Sequence, residues 1–210
     1  MLAAIPLILS FALIFLFIKD KDHQKVSHLS FSNKFSKKFY QFLFISFLFT
    51  LGNSSDGFLI LRAQNIGMGL VAIFFLLSFY NLVSSLFALP AGGLSDKIGR
   101  KKILIFSWLL YAVTYFGFGR LNSVWAVVPL FLLYGIYFGL TEGVAKVMVA
   151  DLVPVEKRGT AFGIYNMTIG LTLLPASFLA GILWQNISPS APFYFGAIMA
   201  GLASIGLWIF

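Results

Sequence analysis

The chain reads as long apolar runs separated by short polar ones. Seven runs are long enough to cross a hydrocarbon core, which takes roughly 17 to 25 mostly apolar residues: Leu2–Ile18, Phe39–Leu61, Leu70–Ala91, Ile103–Gly119, Val124–Ala145, Gly159–Trp184 and Ala191–Phe210. Membrane-spanning strands are about half as long and alternate in polarity, whereas a helix satisfies its backbone groups within itself. The pattern therefore predicts an all-α fold, a polytopic membrane bundle of seven transmembrane helices. The first run could be mistaken for a secretory signal. It has no basic segment before it, however, and it leads straight into Lys19, Asp20 and Lys21 rather than a small-residue cleavage site.

The polar stretches divide by charge. Lys19, Lys21, Lys25, Lys34, Lys37 and Lys38 follow the first run, Lys97, Arg100, Lys101 and Lys102 follow the third, and Lys146, Lys157 and Arg158 flank the fifth loop. The loops between them hold only Arg62 and Arg120. Cations beside membrane helices stay in the cytoplasm, most strictly in short loops. Thirteen on one side against two on the other place loops one, three and five and the carboxyl terminus in the cytoplasm, and the amino terminus outside.

Composition agrees: 60% of residues are hydrophobic and 10% charged, where soluble domains carry about a quarter charged residues. The net charge of +8 does not point to nucleic acid, because the cations sit between membrane runs instead of on one face of a soluble fold. The lipid bilayer is the partner these features imply. There is no cysteine, so no disulfide framework or thiolate metal site is available. His23 and His28 have no ligand neighbour at helical spacing, and no metal or cofactor is expected. Nucleophile elbows, Walker loops and close carboxylate pairs are absent from the sequence, so an enzyme is not expected.

One polar stretch is richer than the rest. "GGLSDKIGRKK", Gly92 to Lys102, packs five charges and three glycines between two apolar runs. Gly92 and Gly93 would let a helix end approach its neighbour, after a bend at Pro90. Asp96 could cap the next helix and pair with Arg100, and Gly99 suits a left-handed turn. The expected result is a tight charged hinge at the cytoplasmic surface.

Gly92-x-Leu94-Ser95-Asp96-Lys97-Ile98-Gly99-Arg100-Lys101 resembles the G-x-L-A-D-[RK]-x-G-[RK]-[RK] loop signature of the major facilitator superfamily, with serine in place of alanine. Asp151 and Arg158, seven apart in "DLVPVEKRG", are similar to the acid and arginine that family members carry between the fourth and fifth helices of a half. The resemblance implies a conformational clasp of Gly92, Gly93, Asp96, Gly99, Arg100, Lys101, Asp151 and Arg158, with Glu156 a further candidate. It also implies a twelve-helix transporter in two halves, each built of inverted three-helix repeats. The signature falls between the third and fourth runs, which fits the last seven of twelve helices. Residues 1–18 would then be the closing helix of a missing first half, 19–38 a basic cytoplasmic linker, and 39–210 the six-helix carboxyl-terminal half.

Polar residues inside the runs mark a cavity, because they turn toward a bundle interior or a water path. Asn53 and Asp56 share a face of the second run, Ser78, Asn81 and Ser85 a face of the third, and Asn166 and Thr168 mark the sixth. Asp56 is costly within a membrane unless hydrated, paired or protonated. It is read either as a proton or cation site or as a structural acid that pairs with Arg62 or caps a helix broken at Gly52. Glu142 and Lys146, four apart, suit an internal salt bridge, and Glu142 is also a candidate contact for substrate. Gly135, Gly139 and Gly143 form a small-residue seam for close helix packing.

The resemblance thus implies a proton-coupled secondary transporter that moves a small solute by alternating access, in a cell membrane of the bacterial inner type. The alternative is a non-transporting fragment, or a subunit that needs a separately encoded amino-terminal half.

Overall fold

The computed structural model describes residues 34–210. The expected first helix at Leu2–Ile18 and nearly all of the basic linker lie outside the described residues. Within them, the six remaining runs form helices long and apolar enough to cross a membrane, and no strand is present among the described residues. In chain order the helices are α1 (Lys37–Gly52), α2 (Gly57–Asn65), α3 (Leu70–Ile98), α4 (Arg100–Arg120), α5 (Val124–Asp151), α6 (Arg158–Asn186) and α7 (Ala191–Ile209), with a 3-10 turn at Val155–Lys157 before α6.

Two boundaries differ instructively from the hydrophobic pattern. The second run is not one helix: α1 stops at Gly52 and α2 starts at Gly57, so Asn53 and Asp56 flank a break and do not share a helical face. The third run continues past Ala91 through Pro90, Gly92 and Gly93 to Ile98. Hydropathy marks where a helix leaves hydrocarbon, but the backbone hydrogen-bond ladder can continue into the polar boundary, and here it does. The charged stretch is therefore mostly helix, and a single residue makes the turn. Gly99 lies at φ +103°, a conformation side-chain-bearing residues rarely adopt, and its N–H closes α3 on Ser95 O at 3.0 Å while α4 begins at Arg100.

Helices α4 and α5 form the centre. Leu104, Trp108, Tyr111, Tyr115 and Phe118 recur at three- and four-residue intervals along one stripe of α4, and all are buried. This stripe meets Phe131, Tyr134 and Tyr137 of α5, Phe49 of α1 and Phe193 of α7. Trp108 stacks on Phe49 at 4.5 Å, and Tyr111 stacks on Tyr115 at 4.0 Å. Large rings suit such a core, since packing and dispersion, not water exclusion, hold helices together in lipid. Helix α3 packs chiefly on α5, α7 on α4 and α1, and α6 on α1. Helices α3 and α6 bury the least, leaving Phe75, Leu89, Leu174 and Phe178 exposed.

Close approach is confined to particular glycines. Gly52 of α1 lies against Gly196 of α7, where an added methyl on either would meet the other's backbone. On the expected seam, a methyl at Gly135 would press on Tyr80 O at 2.9 Å, and one at Gly139 would strike the backbone of Ser84 and Ala88. One at Gly143 would meet nothing within 4 Å. The seam thus joins α3 to α5 over two of its three glycines. Gly92 and Gly93 likewise face open space, which corrects the expectation that they admit a close neighbour within this bundle.

Gly139→Ala should destabilise the purified protein by about 1–3 kcal/mol, the usual cost of overpacking. Gly143→Ala should be neutral or slightly stabilising, since alanine is the better helix former. Thermal unfolding of both variants in one detergent checks the contrast.

Candidate functional site

The break between α1 and α2 exposes backbone groups inside a span, and neighbouring side chains meet them. Tyr111 of α4 donates its hydroxyl to Gly52 O at 3.0 Å, and the Ser55 N–H donates to Ser177 Oγ of α6 at 3.3 Å. Asn53 lies between two phenols, Tyr111 at 3.4 Å from its Oδ1 and Tyr137 at 3.4 Å from its Nδ2. Discontinuous membrane helices of this kind are tolerated where other protein groups replace the lost helical bonds.

Asp56 closes the break. Its carboxylate accepts a hydrogen bond from the Tyr134 hydroxyl at 2.6 Å. It forms no side-chain cap on α2. Nor does it pair with Arg62, which is buried and turned elsewhere. The Arg62 guanidinium donates to Phe118 O at 2.9 Å, Asn122 Oδ1 at 2.8 Å, Asn65 Oδ1 at 3.0 Å and Gly119 O at 3.5 Å. Phe118 and Gly119 lie in the last turn of α4, whose carbonyls have no helical partner, so Arg62 caps α4 with positive charge at its negative dipole end. Both structural roles offered for Asp56 by sequence therefore give way to a phenol partner.

Between α1, α4, α5 and α6 lies a cavity of about 310 Å³. It brings together Asn53, Glu142 and Asn166, three of the expected polar residues, with Lys146. Glu142 and Lys146 form the expected ion pair at 2.9 Å. Phe49, Trp108, Tyr137, Phe138 and Tyr165 supply aromatic wall, and Thr141 bridges to Ser107 of α4 at 2.9 Å. Asp56, Asn81 and Ser85 do not line this cavity. Asn81 and Ser85 are exposed on α3 and satisfy themselves locally, Asn81 on Leu77 O at 2.8 Å and Ser85 on Asn81 O at 2.9 Å; Ser78 does the same on Phe74 O. Thr168 back-bonds to Ile164 O at 2.9 Å.

At the opposite end of the spans from Arg62, the signature residues assemble in part. Arg100 pairs with Asp96 across Gly99 at 3.1 Å and also with Asp151 at the end of α5, so one guanidinium joins α3, α4 and α5. A polar cleft of about 330 Å³ opens beside it. Asp96 thus lies in the last turn of α3 and does not cap the next helix as expected. Arg158 does not reach either acid; its Nε donates to Ala150 O at 3.3 Å near the end of α5. Lys101 turns away to α7, donating to Trp208 O at 2.9 Å. Glu156 forms no ion pair among the described residues.

The tyrosines were absent from the sequence-derived site, although the regular stripe Leu104, Trp108, Tyr111, Tyr115, Phe118 was there to be read. A tyrosine on an apolar stripe looks like packing until its hydroxyl partner is known.

Comparison with known proteins gives the class. The family model of the Major Facilitator Superfamily matches residues 42–210, and the chain belongs to that superfamily. It is 36% identical over 198 residues to the uncharacterized MFS-type transporter MJ1317 of Methanocaldococcus jannaschii, a match spanning 90% of this chain and 50% of that protein. It is 35% identical over 123 residues to the class H tetracycline resistance protein of Pasteurella multocida, covering 59% of this chain and 30% of the relative. With the glucose transporter GlcP of Staphylococcus epidermidis it shares 32% over 118 residues, 52% of this chain and 26% of the relative. The chain thus spans half or less of the length of these curated relatives.

Arg62→Met should cost more than any single exposed charge, because it orphans buried carbonyls at about 1–3 kcal/mol each. Arg62→Lys should recover only part, since one ammonium cannot reproduce the guanidinium fork. Unfolding midpoints of the three proteins, measured side by side, check this.

Proposed function

We propose that the chain is the carboxyl-terminal portion of a secondary transporter that moves a small solute across a membrane by alternating access, coupled to protons. On this reading residues 39–210 are one six-helix half, 1–18 the last helix of the other half, and 19–38 the linker between them. The observation that carries it is the cavity. Amide, carboxylate and ammonium groups from three helices converge in an aromatic-walled space inside a membrane bundle, beside a helix broken at mid-span. Such a mixture suits a small amphipathic solute, which lies against the rings and exchanges hydrogen bonds with Asn53, Asn166 and the Glu142–Lys146 pair, Lys146 donating and Glu142 accepting. The names of the relatives include an antibiotic resistance protein and a sugar transporter, which name two different kinds of solute.

Coupling is assigned to Asp56. Its partner is a neutral phenol, and the arginine nearest in sequence is committed to α4, so among the described residues the carboxylate, at the start of α2, has no cationic side chain paired with it. Binding and releasing a proton is the economical way for such a group to remain inside a membrane. Asp96, Arg100 and Asp151 are assigned the clasp: they hold three helix ends at one surface and would part as the halves rock. Asn81 and Ser85 face outward on α3 and would meet the partner half. The excess of cations in these loops supports a cytoplasmic position for this surface and for the carboxyl terminus.

The coverage of about half of one relative favours a second reading, in which the chain works only with a separately encoded amino-terminal half. Reading the coding sequence upstream for five or six further spans separates the two.

With the complete transporter in proteoliposomes, Asp56→Asn should abolish the dependence of uptake on an imposed proton gradient while solute binding persists. An unchanged response to the gradient would remove Asp56 from coupling.

A further inference from the structure

Adjacent cations at the start of α4 have different fates. Arg100 faces two carboxylates, whereas Lys101 and Lys102, the next two residues, enter no ion pair among the described residues. Both lysines instead head a groove of about 530 Å³ whose other walls are Ile105, Phe106, Leu109 and Trp208. No acidic side chain lines it. Lysines that serve only to orient the chain need no such setting.

The groove has a definite polarity along the membrane normal. Helix α4 has 21 residues and charge at both ends, a length of about 31 Å that matches a hydrocarbon core. Lys102, Ile105, Phe106 and Leu109 follow at helical spacing on one side of it, so the groove descends about 10 Å from the polar boundary into the apolar layer. Phe106, Leu109 and Trp208 are exposed, at 57%, 47% and 74%, so no other described helix covers this surface. Trp208 lies at the boundary, where tryptophan is favoured. Lys101 is held in place by Trp208 O at 2.9 Å and lies 6.0 Å from the centre of the Phe210 ring. An ammonium has three donors, and this arrangement uses one of them on a carbonyl. Two fixed positive charges above an apolar trough are complementary to a molecule with an anionic head and a hydrocarbon tail.

We propose that this groove binds an anionic phospholipid, with Lys101 and Lys102 on the phosphate and an acyl chain along Ile105, Phe106 and Leu109. The site shares no lining residue with the solute cavity, and it adjoins the Arg100 clasp, whose cleft Lys101 also borders. Occupancy would fix the start of α4 against the end of α7.

The test uses the full chain purified in mild detergent and exposed to equimolar phosphatidylglycerol and phosphatidylcholine, with retained lipid counted by native mass spectrometry. The parent should retain phosphatidylglycerol preferentially. Lys102→Gln, an exposed residue without an internal partner, should lower that retention about fivefold, and Lys101→Gln by a similar factor. Lys97→Gln, which removes an exposed cation in the last turn of α3, should leave it unchanged. Circular dichroism of each variant confirms the fold. Equal retention of the two lipids by the parent would show an apolar groove without head-group recognition. Equal losses for Lys97→Gln and Lys102→Gln would show diffuse surface charge. Retention unmoved by either groove lysine would show that the lipid binds elsewhere. Any of these three results overturns the proposal.

Discussion

A polar group within a bilayer must find its partner in the protein, because lipid offers none. That constraint organises the whole molecule. It makes each described apolar run helical, it places tyrosine hydroxyls where the first described span breaks, and it sends a buried arginine to the carbonyls at the end of α4. It also gives meaning to the exceptions. Asn53, Glu142, Lys146 and Asn166 gather around an open cavity in the bundle, and in a membrane such an accumulation signals a place for something polar to enter.

Two arginines show how one residue type serves different ends of the bundle. Arg62 is buried and fully engaged with backbone and amide oxygens, an arrangement that locks α2 to α4. Arg100 sits at the opposite surface, partly exposed and bonded to two carboxylates from α3 and α5. Partly exposed ion pairs contribute little to stability, so the second arrangement can break at small cost. The cap suits a part that stays rigid. The Arg100 cluster suits a joint that opens, as the proposed transport cycle requires of it.

Much of this was legible in the chain. Hydropathy located all six described spans, and Asp96 with Arg100, Glu142 with Lys146, and the positive φ at Gly99 came from spacing and residue type. What escaped was whatever depends on three-dimensional partners. The break at residues 53–56 entered only as one alternative, a helix broken at Gly52, because the hydroxyl that stabilises Gly52 O belongs to Tyr111, 59 residues on. The family pattern grouped Lys101 and Arg158 with the clasp, but helical geometry rotates Lys101 toward α7, and Arg158 finds a backbone carbonyl first. Gly92 and Gly93 resembled contact points, yet small residues mark only the possibility of close approach.

The central claim is that the spans put the Arg100 cluster and the Arg62 cap on opposite surfaces of a membrane. Because the sequence contains no cysteine, single cysteines introduced at exposed positions can be labelled without background. In sealed, oriented vesicles, an impermeant maleimide should reach Lys97→Cys and Glu156→Cys from one side only, and Gln64→Cys, Leu121→Cys and Ile187→Cys only from the other. Labelling of positions 97 and 121 from the same side would mean that α4 does not cross, and would contradict the account.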